Sequence, residues 1–106
     1  MEFHQLKSFV AVAEEGNLTR ASARLFASQP AVSAHIKLLE QELGVILFNR
    51  TRKGMALTHE GEVLLETARR VLEATEDLVH QARRYKGELA GVVKIGLNSS
   101  PALLRI

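Results

Sequence analysis

The residue types that most often perform chemistry are thinly spread over this 106-residue sequence. It has no cysteine, which excludes thiolate nucleophiles, disulfides and thiolate metal sites and makes a reducing, cytoplasmic setting the expectation. His4, His35, His59 and His80 lack metal-ligand spacing, so neither a metal nor a cofactor is expected. Glu60 and Glu62 stand together at what reads as an exposed helix start, and no glycine loop of the phosphate-cradling kind occurs, so no enzyme is expected either. What remains is recognition chemistry. Ser28-Gln29-Pro30 combines a helix-capping hydroxyl, an amide able to pair bidentately with adenine, and a ring suited to a thymine methyl. The run Arg50-Thr51-Arg52-Lys53 supplies cations for phosphate.

Charge is distributed in keeping with that division. The net charge is only +2, yet between Gly16 and His59 the bases Arg20, Arg24, Lys37, Arg50, Arg52 and Lys53 face only Glu40 and Glu42. From Glu60 onward acids and bases cancel. A positive segment followed by a neutral one suggests a polyanion-binding module beside a part with another task, although an ordinary solvated surface would give the same count. No apolar run is long enough to span a bilayer, and Met1 to Gln5 lacks the pattern of a signal peptide, so no membrane partner is expected.

Positioning these groups requires rigid elements, and the apolar periodicity supplies them. Phe3, Leu6, Phe9, Val10, Val12 and Ala13 recur at helical spacing, predicting a helix from about residue 2 to 15 that Gly16 stops. Asn17 can cap a short second helix over 18–26, whose Ala21 and Ala23 permit close approach of a neighbour. Ser28 can cap a third helix ending at Gly44, with Pro30 tolerated in its first turn. In that helix Val32, Ile36, Leu39 and Leu43 share one sector, while Pro30, Ser33, Ala34, Lys37 and Gln41 point the other way. The outward face is short, polar and free of acids before Glu40, as major-groove entry requires.

After Gly44, the runs Val45 to Phe48 and Met55 to Leu57 flank Asn49 to Gly54 and predict a β-hairpin with the charges at its tip. Thr58 can cap a long helix to about Lys86. Along it Leu64, Ala68, Val71, Thr75, Leu78, Ala82 and Tyr85 alternate steps of four and three, with Leu65, Leu72 and Val79 flanking. That is a heptad seam, and it implies a partner helix. Gly87 is expected to close the helix, and residues 91–97 to form the first strand of a further domain. The expected fold is mainly α: a winged helix-turn-helix of three helices and a hairpin wing over 1–58, its helix-turn-helix over 18–37. A linker helix for dimerisation follows over 59–86, then a hinge and first strand over 87–106.

The run Ala21-Ser22-Ala23-Arg24-Leu25-Phe26-Ala27-Ser28-Gln29-Pro30-Ala31-Val32-Ser33, followed by Ile36, Leu39-Glu40, Glu42-Leu43-Gly44, Leu47-Phe48, Arg50, Leu57-Thr58 and Gly61, resembles the LysR-type transcriptional regulators. The resemblance implies a cytoplasmic homodimer or homotetramer that binds double-stranded promoter DNA and answers to a small-molecule effector through a C-terminal domain. It gives Gln29 and Pro30 as base contacts, with Ala31, Ala34 and His35 beside them. It also gives Ser33 as a phosphate contact and Arg50 with Arg52 or Lys53 as wing contacts, while Asn17 and Thr19, at a helix N-terminus, are themselves suited to phosphate and join Ser28 and Lys37 as expected backbone contacts. Leu64, Ala68, Val71, Leu72, Leu78, Val79, Ala82 and Tyr85 are assigned to the dimer interface, and Ser99 and Ser100 to an effector site. Ala34 departs from the family, many of whose members carry a long polar or basic side chain there, so base reading at that place shifts to His35 or Lys37 or is lost. His35 lies only about 60° from the buried sector of its helix, and is assigned to the DNA side.

A protein-assembly module with an incidental positive segment is the competing expectation. Salt separates the two, because phosphate contacts make log K fall steeply with log salt.

Overall fold

The computed structural model describes residues 1–94, with side chains to residue 87. Its elements are α1 (Phe3–Glu15), α2 (Leu18–Leu25), α3 (Gln29–Leu43), β1 (Phe48–Thr51), β2 (Gly54–Leu57) and α4 (His59–Lys94). Two units are distinguished, residues 1–72 and 73–106.

In the first unit each helix stops and starts where local chemistry dictates. Gly16, in the left-handed region, ends α1 and donates its N–H to the Val12 carbonyl at 2.8 Å. The Asn17 side chain accepts from the Arg20 N–H at 2.7 Å and opens α2, while Ser28 Oγ accepts from the Ala31 N–H at 3.2 Å and opens α3. Gly44 ends α3 in the same way as Gly16 ends α1. Thr58 opens α4, its hydroxyl oxygen accepting from the Gly61 N–H at 2.9 Å.

Burial centres on α1, which is covered from Ser8 through Val12 without a break. Five consecutive buried residues exceed one helical face, so α1 is enclosed on several sides. Ala21 of α2, Val32, Ile36 and Leu39 of α3, and Leu47, Phe48, Leu65 and Ala68 complete the core. Phe9 meets Phe48 edge to face, with ring centroids 5.7 Å apart. Leu43, expected in this core, is 37% exposed, since it sits in the last turn of α3 beyond the packed layers.

The hairpin pairs Phe48 with Leu57, Asn49 with Ala56, Arg50 with Met55 and Thr51 with Gly54. Only Arg52 and Lys53 form the tip. Asn49, Arg50 and Thr51, expected in the turn, are strand residues, and Val45 to Leu47 precede the sheet. The reason lies in how those backbone groups are satisfied. The Leu47 and Phe48 N–H groups donate to the Glu40 carboxylate at 2.7 and 3.4 Å, and the Leu47 carbonyl accepts from the Thr58 N–H at 2.9 Å. Two glycines hold this arrangement close. A Cβ at Gly61 would collide with the Leu47 carbonyl oxygen, and one at Gly54 with the Gly16 carbonyl oxygen. Gly54 also has φ +137°, which L side chains rarely adopt. Next to it, the Met55 N–H donates to Gly16 at 2.9 Å, tying the wing to the α1–α2 turn.

The first unit extends past residue 58, where the sequence placed its boundary, to Leu72. Leu65 and Ala68 are buried in its core, and Leu64 and Leu72 pack against that core. Ala68, assigned to a dimer seam, is therefore 4% exposed within its own chain, and the early seam residues serve the fold. In the second unit Leu78, Val79, Ala82 and Tyr85 are all exposed.

The expected end of the long helix at Lys86 also requires correction. Helix α4 continues through Gly87 to Lys94, over residues 91–94 that were assigned to a strand. Each of the two interior glycines, Gly87 and Gly91, costs a helix only about 1 kcal/mol relative to alanine, Glu88, Leu89 and Ala90 are good helix formers, and a lone strand has no ladder to join. The rest of the expected strand, Ser99 and Ser100 lie outside the described residues. No helix among the described residues is long and apolar enough to cross a membrane.

Candidate nucleic-acid interface

The N-terminus of α3 presents Ser28, Gln29 and Pro30 together, all exposed. Pro30 stands in the first turn, where its missing N–H costs nothing. The Gln29 side chain is held: its Nε2 donates to the Thr19 hydroxyl oxygen at 3.1 Å, joining the first turn of α3 to that of α2. Further along, Ala34 and Lys37 are exposed and Ala31 and Ser33 half-buried, so the outward face expected for this helix is present.

Between α3 and the wing runs a groove of about 190 Å³ lined by Ser33, Ile36, Lys37, Glu40, Ile46, Phe48, Arg50 and Met55. It brings Lys37 and Arg50, thirteen residues apart in sequence, to one surface. The acid in this groove is turned to internal use, since the Glu40 carboxylate accepts the two N–H groups that lead into β1. In the sequence Glu40 reads as an acid within the positive segment and a member of the family run, not as an anchor for backbone N–H groups. The available signal was its place one turn before Gly44, ahead of an apolar segment whose N–H groups had no stated partner. Arg52 and Lys53 at the hairpin tip are exposed, and among the described residues no ion pair engages them, Lys37 or Arg50.

Two sequence assignments change. His35 does not face outward with Ala34 but turns to α1. Its Nδ1 shares a 2.8 Å hydrogen bond with Ser8 Oγ, and its ring stacks on that of His4 at 6.1 Å with planes 21° apart. Ser8 is 1% exposed, so its hydroxyl needs an internal partner, and the half-buried imidazole supplies one. A serine inside the otherwise apolar stretch of α1 was the sequence signal for this contact. Arg24, counted in the positive segment, is likewise withdrawn from it, pairing with Glu14 at 2.8 Å and Glu15 at 3.3 Å. Arg69 of α4 reaches the same Glu14 at 3.2 Å. Burial alone would raise the Glu14 carboxyl, but the hydrogen bonds and charges of Arg24 and Arg69 hold it below the ordinary carboxylate range. The Glu14 hydrogen bond, against the opposing effect of burial, raises Arg24 above its usual value. Asn17, half-buried, spends its side-chain oxygen on the cap of α2 and keeps its amide nitrogen for other partners.

Comparison with known proteins is specific. Residues 3–62 match the family described as bacterial regulatory helix-turn-helix protein, lysR family. The HTH-type transcriptional regulator ClcR of Pseudomonas putida is 46% identical over 99% of this chain and 38% of its own length. The regulator BudR of Klebsiella aerogenes is 42% identical over 96% of this chain and 71% of its own. Among solved structures, the DNA-binding domain of CbnR in complex with DNA superposes with a TM-score of 0.76 at 44% identity. That match covers 81% of this chain and 99% of that one. The chain spans about a third of the length of most of the curated relatives it matches. On the family match and the agreement of fold, the chain belongs to the lysR family of bacterial regulatory helix-turn-helix proteins.

Proposed function

We propose that this chain is the sequence-specific DNA-binding part of a transcriptional regulator acting in the cytoplasm on promoter DNA. The observation that carries the reading is the α3–wing groove, which brings Lys37 and Arg50 to one surface, on a helix whose Gln29-Pro30 start is exposed. The likeness to a domain solved on DNA supports it. Helix α3 enters the major groove, Gln29 pairs with an adenine edge, and Pro30, Ala31 and Ala34 give apolar contact to thymine methyls. Asn17, Thr19, Ser28, Ser33 and Lys37 contact the backbone, as do Arg50, Arg52 and Lys53 of the wing. His35 drops out of the base-reading set because its ring is engaged with Ser8 and His4.

The exposed apolar residues of α4, Val71, Leu78, Val79, Ala82 and Tyr85, pair two copies, and the whole protein acts as a dimer or tetramer. A small-molecule effector sets activity through a C-terminal domain, this chain spanning about a third of the length of such relatives. The function requires no catalysis, metal or cofactor.

Selection of bound duplexes from a random pool, followed by salt titration on the selected sequence, tests the reading. Binding should fall with salt at about −0.9 in log–log slope per phosphate contacted. Absence of an enriched sequence together with a flat salt response would leave only a protein-assembly module.

A further inference from the structure

We infer that Thr19 is a positioning residue for base recognition: its hydroxyl fixes the direction of the Gln29 amide and so decides which edge of a base pair the helix accepts. The inference rests on the proposed role of Gln29 and adds to it a function that the backbone-contact assignment of Thr19 does not contain.

The geometry is specific to these two side chains. Thr19 lies in the first turn of α2 and Gln29 opens α3, and the 3.1 Å contact runs from the Gln29 Nε2 to the Thr19 Oγ1. A glutamine amide has two N–H donors and one acceptor oxygen. With one N–H donated to Thr19, one N–H and Oε1 remain, which is the pair a bidentate contact to adenine uses: Oε1 accepts from N6–H and the N–H donates to N7. Both residues are exposed, and among the described residues no other hydrogen bond holds the amide. Released, it can turn over and exchange donor for acceptor along the groove, which removes its preference for adenine in one orientation of the pair.

Thr19 is suited to this task by the rest of its hydroxyl chemistry. Accepting from Gln29 leaves the O–H proton free to donate to a phosphate, so one hydroxyl can link the DNA backbone to the amide that reads the base. Docking on the correct phosphate and ordering of the amide then reinforce each other.

The test compares wild type, Thr19→Val, Thr19→Ser, Gln29→Ala and the Thr19→Val, Gln29→Ala double variant. Binding is measured on duplexes that the wild-type chain selects from a random pool and on the three substitutions at each base pair. Gln29→Ala should abolish preference at one position. Thr19→Val, nearly isosteric but without the hydroxyl, should reduce the same preference by roughly threefold to tenfold, the effect of one net hydrogen bond. Thr19→Ser should retain it, and the double variant should show no further loss of preference beyond Gln29→Ala. Uniform weakening by Thr19→Val on every duplex, with the base ratio intact, would make Thr19 a backbone contact only and overturn the inference. So would a further loss of base preference in the double variant beyond that of Gln29→Ala. Should Gln29→Ala itself leave every base ratio unchanged, the underlying assignment of Gln29 fails, and that outcome is distinct from failure of Thr19 alone.

Discussion

Removal of the Glu40 carboxylate is the perturbation for which the structure makes the fullest forecast. This side chain sits on α3 yet accepts from the Leu47 N–H at 2.7 Å and the Phe48 N–H at 3.4 Å, holding the chain where it turns from α3 into the wing. Glu40→Ala leaves both donors without their partner in a half-buried setting. A hydrogen bond to a charged group contributes about 1.5 to 3 kcal/mol. The short contact falls within that range, and the long one adds a fraction of it. Partial access of water offsets some of the loss, so Glu40→Ala should destabilise the domain by about 2 kcal/mol. Glu40→Gln keeps a neutral acceptor of the same length and should cost about half as much. Urea unfolding reads the difference: with a slope of about 1 to 3 kcal/mol per molar, 2 kcal/mol moves the midpoint by roughly 1 M. Hydrogen exchange should accelerate first at the Leu47 and Phe48 amides. An unchanged midpoint for Glu40→Ala, or a Gln variant less stable than the Ala variant, would refute the assignment of this carboxylate as an anchor for the wing.

Other expectations follow from single contacts. Gly61→Ala forces a methyl against the Leu47 carbonyl oxygen and should destabilise by about 1 to 3 kcal/mol, seen as a lower thermal midpoint; a neutral substitution would mean that the start of α4 can move away from Leu47. Leu78→Glu places a charge on the exposed stripe of α4 without touching the core of residues 1–72, so sedimentation should show monomers with an intact fold, and a persistent dimer would locate the interface elsewhere. For Glu14, the lowered carboxyl means that its ion pairs stabilise the fold fully above the unfolded value near 4.5. That contribution disappears as the pH falls through the lower folded value. The gap in thermal midpoint between wild type and Glu14→Gln should accordingly be constant above that range and close below it; a gap that persists in acid would mean that the pairs with Arg24 and Arg69 contribute nothing as charges.

Much of the first unit was legible because its determinants are local. Asn17, Ser28 and Thr58 cap helices by bonding within their own first turns, and Gly16 and Gly44 end them by backbone conformation at a single residue. The α3 stripe of Val32, Ile36 and Leu39 is a matter of spacing along one helix. From such terms alone the sequence determined three helices, a basic hairpin and a long final helix, and with them the exposed Gln29-Pro30 start of α3.

Tertiary structure decided every question of partner choice. An angular estimate left His35 near a sector boundary, and only the arrival of Ser8 and His4 from α1 turned it inward. Arg24 counted toward the positive segment until Glu14 and Glu15 of α1 were found opposite it. Ala68 fitted a seam between two copies, yet it is buried with the core residues of the first unit. The link between Thr19 and Gln29 spans ten residues and two helices, so neither side chain foretells it. Periodicity records which residues avoid water, and a cap records where a helix begins. Neither records which element will cover a face or which side chain will meet a given donor, because those depend on distances that exist only once the helices have packed.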